Sequence, residues 1–143
     1  MIDLIRELQE FLSRDPLSLE DVIARVGPVT NDPGGLMPVE FQPSLPGVRE
    51  ASLSRDPDNG LPYLLTIELA SDARLTTAEL QQAFGDYKRM RTHRDQPPEI
   101  MFNPPASGSG WKVALLATLQ SASKPLDEQQ VTSLSFRREP LSS

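Results

Sequence analysis

An α+β fold over residues 1–143, with one antiparallel sheet and helices on one side of it, is what the amino-acid sequence predicts. Three observations predict it. Two short segments with the same helix grammar, Ser18–Gly27 and Thr76–Gly85, align without a gap. Each is followed by a short apolar run ending in Phe-polar-Pro, at Phe41–Pro43 and Phe102–Pro104, and each run by two strand-like segments. The pattern is a tandem α-β-β-β repeat, with copies over about residues 17–71 and 75–138, behind a separate helix over 1–14 and ahead of a flexible tail over 139–143. One such unit buries too little apolar surface by itself, whereas two can join their sheets or share the first helix.

Taken in order, Met1, Leu4, Ile5, Leu8, Phe11 and Leu12 fall on one helical face, and Pro16 ends that helix near Asp15. Ser18 with Asp21 forms a capping box for a helix that turns Val22, Ile23 and Val26 inward and stops at Gly27-Pro28. Val48–Arg55 and Tyr63–Ala70 read as strands of a hairpin, for which Asn59-Gly60 signals a type I′ turn. In the second copy Thr76 with Glu79 caps the helix, Leu80 and Phe84 face inward, and Gly85 closes it. Trp111–Leu119 and Val131–Arg137 read as its two long strands, joined through the polar link 120–130. Many of the 14 prolines sit at strand ends, which keeps sheet edges short.

Composition excludes whole classes of chemistry. With no cysteine there is no disulfide framework, thiolate metal site or thiol nucleophile. His93 is the single histidine, too little for a histidine-built metal site. The net charge of −6 speaks against nucleic acid as a partner. That charge is unevenly placed: residues 1–72 hold 13 acids and 5 bases, net −8, whereas 73–143 hold 7 acids and 9 bases, net +2. A dipolar chain of this kind favours head-to-tail self-association or the steering of a charged partner. The N-terminal residues carry early acids rather than a basic segment and an apolar run, and no stretch is apolar enough to span a bilayer, so a cytoplasmic protein without membrane contact is expected.

No catalytic constellation emerges, and no enzyme activity, cofactor or metal is expected. Gly108-Ser109-Gly110 lacks the strand-to-helix context of a nucleophile elbow and reads as a connector. Asp56-Pro-Asp-Asn-Gly60 resembles the start of a calcium loop, but Ile67 stands where the closing glutamate belongs. Glu20 with Asp21, and Asp127 with Glu128, are sequence neighbours that point apart on a helix.

The concentrated basic run, Tyr87, Lys88, Arg89, Arg91, His93 and Arg94, reads in two ways. It could grip an anion or an acidic partner, or it could be a solvated helix end complementing the carbonyl dipole after Gly85, and the second reading weighs more. Tyr63 and Trp111 are contact aromatics if exposed, and sheet-packing residues if not. The expected function is that of a small acidic protein-interaction module: an adaptor, inhibitor, immunity or chaperone-like protein that meets another protein or a second copy of itself. The alternative is a small-molecule-binding domain with a pocket between sheet and helices, drawing on Tyr63, Glu68, His93 and Arg94.

The two helix segments carry one resemblance. Ser18–Gly27 and Thr76–Gly85 open with Ser or Thr and close with Gly, and in this layout the chain resembles the tandem-repeat modules of β-lactamase inhibitors and outer-membrane lipoproteins. The chain lacks the lipoprotein cysteine and the inhibitors' disulfides, so the resemblance implies layout alone and no residue role. Small size, acidity and mixed helices and strands also suit a dimeric secretion-type chaperone, which would bury the first helix in a dimer interface.

Overall fold

Local signals account for the helices of the computed structural model, which describes residues 1–34, 37–90, 96–103, 111–120, 125 and 129–140. Helix α1 (Ile2–Leu12) buries Ile5, Leu8, Phe11 and Leu12, four positions of the apolar stripe. Helices α2 (Leu19–Val26) and α3 (Thr77–Phe84) both start in complete capping boxes. Ser18 accepts from the Asp21 N–H while the Asp21 side chain accepts from the Ser18 N–H, and Thr76 and Glu79 repeat the exchange. Both helices end on a glycine with a backbone that other residues avoid: φ 146°, ψ 174° at Gly27 and φ 88°, ψ −162° at Gly85.

The strands form an antiparallel sheet of eight. They are β1 (Val29–Asn31), β2 (Val39–Phe41), β3 (Val48–Arg55), β4 (Pro62–Leu69), β5 (Lys88–Arg89), β6 (Glu99–Phe102), β7 (Trp111–Leu119) and β8 (Val131–Pro140). Their order is β1-β2-β3-β4-β8-β7-β6-β5, so each half of the chain supplies a helix and a four-strand meander, and the halves meet where β4 pairs with β8.

Alternation sorts the strand residues onto two faces, because residues directly opposite one another share a face. Two rows run across the core face: Phe41, Ala51, Ile67, Leu134, Ala117 and Ile100, and beside it Val39, Leu53, Leu65, Phe136, Leu115 and Phe102. All twelve belong to one buried cluster with Ile5, Leu8, Val22, Val26 and Leu80 from the helices. The second face carries the row Glu40, Ser52, Thr66, Ser135, Leu116, Met101 and Lys88. None of these seven joins the core cluster.

Four details differ from the sequence expectations. The edge strands β1 and β5 are too short to leave a period-2 pattern, and β5 places Lys88 and Arg89 on a sheet edge rather than at a helix end. The β3–β4 hairpin exists, but Gly60 has a positive φ and Asn59 does not. Its loop is therefore not type I′; it closes through Asp56 N–H to Leu61 O (2.8 Å) and Gly60 N–H to Asp56 O (2.8 Å). Glu139 and Pro140 continue β8 instead of fraying, because they pair in register with Lys112 and Trp111 of β7. Finally, α1 spends its apolar face within its own chain, leaving no stripe of that kind for a dimer interface.

Candidate functional site

The sequence-predicted residues are not brought together. Tyr87 is half-buried and packs edge-on against Phe102, with centroids 5.8 Å apart, so its ring belongs to the fold. Lys88 and Arg89 are exposed on β5, opposite Met101 and Ile100. Arg91, His93 and Arg94 lie outside the described residues, as do Gly108-Ser109-Gly110 and the pair Asp127 and Glu128. Trp111 is half-buried with the Arg138 guanidinium 4.2 Å from its ring centroid, which makes it a packing partner rather than a free contact aromatic. Tyr63 remains 38% exposed at the bulged start of β4, near Leu61 in sequence.

Arg138 is the residue that sequence reasoning missed. It sits on the apolar parity of β8, two positions after Phe136, and is 5% exposed. Its guanidinium donates to the carbonyls of Leu12 (2.7 Å), Pro62 (3.0 Å) and Arg14 (2.8 Å). It thereby caps the end of α1 and ties it to β4 and β8, with one bond from each of its three nitrogens. Burial lowers its pKa from the usual arginine range, while the charge of Asp15 acts the other way. An arginine at an inward strand position was the signal that could have revealed it.

The built feature lies elsewhere, on the second face of the sheet. A cavity of about 420 Å³ spans β1 to β4 and is lined by Thr30, Glu40, Glu50, Ser52, Thr66 and Glu68 among others. Glu50 and Glu68 stand directly opposite on β3 and β4. Hydrogen bonding to Glu68, and then its charge, push the Glu50 carboxyl above its ordinary range; Arg49 opposes this and Glu40 adds to it. Arg49 is itself paired with Glu68 at 2.8 Å, and Asn31 donates to Glu40 at 3.2 Å.

Comparison of the chain with protein-family models, curated proteins and solved structures found no match. Among the described residues no group of His, Cys, Asp or Glu is disposed to hold a metal ion. The three carboxylates are spread along a floor of hydroxyls, where Thr66 and Ser135 hydrogen-bond across the seam at 3.1 Å. Beyond the seam the same face turns apolar, with Met101 half-buried and Leu116 and Ala114 buried. Among the described residues no helix is long and apolar enough to cross a membrane.

Sequence alone offered a trace of this site. The sequence reading places Glu68 in a pocket between sheet and helices, whereas the cavity opens on the other face. Glu40 and Glu50 join it only through strand register.

Proposed function

We propose that the protein is a non-enzymatic interaction module that presents the second face of its sheet to another protein. One observation carries the reading: two glutamates, Glu50 and Glu68, directly opposite on neighbouring strands. Like charges so placed destabilise a sheet. A fold retains a local conflict of this kind where the groups do other work. The mirrored order of the two meanders supports a second part of the proposal, that the halves are copies of one unit joined at β4 and β8.

The test is affinity purification from the native host with the full chain and with the double variant Glu50→Gln/Glu68→Gln. The expected result is one or a few proteins that bind the wild type, are lost with the double variant and are kept by Lys88→Ala. Identical sets on wild type and double variant would overturn the proposal. A second reading, a small cationic ligand, is favoured by the cavity's volume of about 420 Å³. Retention of a small molecule by the native protein, without a protein partner, would select it.

A further inference from the structure

We propose that Asn59 is a site of slow, non-enzymatic deamidation, held in check by the closed β3–β4 loop and released each time that loop opens. The reaction does not depend on what the second face binds. Asn59-Gly60 does not serve as the centre of a type I′ turn, since Asn59 lacks the positive φ that such a turn requires. The same dipeptide has a covalent chemistry of its own.

That chemistry needs only water and hydroxide. Hydroxide takes the proton of the Gly60 amide, and the nitrogen bonds to the side-chain carbonyl carbon of Asn59. The bond from that carbon to the side-chain nitrogen breaks, and ammonia leaves with a proton from water. A second water opens the resulting five-membered imide at one of its two carbonyls. One opening leaves aspartate at position 59; the other leaves isoaspartate, with the main chain running through the former side chain. Nothing is oxidised or reduced, and the chain becomes one unit more negative than −6.

Of the three asparagines, Asn59 is the one whose neighbour leaves the attack open. Gly60 has no side chain, and a Cβ at that position would meet nothing within 4 Å. Asn31 precedes Asp32, whose side chain crowds the closing ring, and the Asn31 amide donates to Glu40 at 3.2 Å. Asn103 precedes Pro104, whose nitrogen has no proton to give up.

The folded loop withholds both reacting groups. The Gly60 N–H donates to the Asp56 carbonyl at 2.8 Å, which keeps its proton from hydroxide. Asn59 Oδ1 accepts from the Leu61 N–H at 2.9 Å, which fixes the side chain. Asp56 holds the loop shut twice more, through its N–H to Leu61 O and through its Oδ1, which accepts from the Asp58 N–H, each at 2.8 Å. These bonds all lie within residues 56–61, of which 57–61 are exposed and none belongs to the core cluster. The loop therefore opens without disturbing the sheet. Isoaspartate adds a main-chain carbon before Gly60, so its N–H no longer returns to Asp56 and the open form is locked in.

The test incubates the full chain at mildly alkaline pH, native and in urea. Each asparagine is followed by peptide mapping with mass spectrometry and by isoaspartyl-specific enzymatic methylation. The expected result is conversion of Asn59 to aspartate and isoaspartate, with Asn31 and Asn103 unchanged. Conversion should run roughly tenfold slower in the native chain than in urea, as when two ordinary hydrogen bonds must break first. Asp56→Ala removes the acceptor for the Asp58 N–H; it should speed conversion in the native chain, with the sheet amides still protected from exchange, and leave the rate in urea unchanged. Asp56→Asn keeps the acceptor and should restore the wild-type rate. Equal rates in the native chain and in urea, or Asn31 or Asn103 converting first, overturns the proposal. So does a native chain left intact after full conversion in urea, for then only global unfolding releases the site. A native rate in Asp56→Ala no faster than wild type, or one equally fast in Asp56→Asn, overturns the gate.

Discussion

Apart from α1, the two halves of the chain have the same order of elements and different surfaces. Each opens with a capped two-turn helix closed by glycine and continues into four antiparallel strands. On the core face they are near-equivalent, with Phe41 and Phe102 on the corresponding strands β2 and β6. On the second face the first half has Glu40, Glu50 and Glu68 where the second has Met101, Ala114 and Arg137. Burial constrains one face to apolar residues in both halves, while the other face is freer to diverge.

The comparison breaks most sharply at the two phenylalanines. Phe102 is fully buried and touches two rings edge-on, Phe84 at 6.3 Å and Tyr87 at 5.8 Å. Phe41 is 5% exposed and has no ring partner among the described residues. Phe102→Ala is expected to cost about 5 kcal/mol and Phe41→Ala about 3 kcal/mol, read from urea unfolding midpoints. Equal losses would mean that the aromatic cluster adds nothing to burial.

A smaller difference separates the closing glycines. A Cβ on Gly27 would overlap the backbone oxygen of Gln42, whereas one on Gly85 meets nothing within 4 Å. The first position is crowded because Ser44 N–H bonds to Val26 O and Gln42 N–H to Pro28 O, each at 2.8 Å, drawing the chain after β2 against the end of α2. Gly85→Ala should cost about 1–2 kcal/mol, from backbone conformation alone. Gly27→Ala should cost about 3 kcal/mol, since the clash adds to the same strain. Chemical denaturation of both variants sets the order, and a reversed order would remove the close approach as its cause.

The smallest expected effect is in the charges. Glu50 has its pKa raised from 4.5, so between that value and the raised one the folded state binds more protons than the unfolded chain, and stability falls as pH rises through this window. Asp21 runs the other way. Hydrogen bonds with Ser18 lower its pKa from 3.8, so its contribution is present above that value and lost as pH falls through the folded one. Glu50→Gln should melt at a slightly higher temperature than wild type at neutral pH, with the gap closing below pH 4.5. A lower melting temperature would show that the Glu50–Glu68 contact is not a conflict.

Much of this fold was legible because its signals are local. Ser18 with Asp21, Thr76 with Glu79, and the stripe of α1 each report a neighbourhood of a few residues. The edge strands β1 and β5 were not, since two or three residues cannot display alternation. The basic run was visible as composition, yet its described members diverge: Tyr87 turns to Phe102 while Lys88 and Arg89 line an edge. Arg138 was hidden because its three carbonyl partners come from residues up to 126 positions away.

By itself the sequence determined where the helices start and stop, where the four long strands run, and that thiol chemistry is impossible. These follow from capping, periodicity and composition, which need no knowledge of distant neighbours. Tertiary structure decided that β4 pairs with β8, that Arg138 closes the end of α1, and that Glu40, Glu50 and Glu68 share one face. Those are matters of register between distant strands, and a slip of one residue would have sent each side chain to the opposite face.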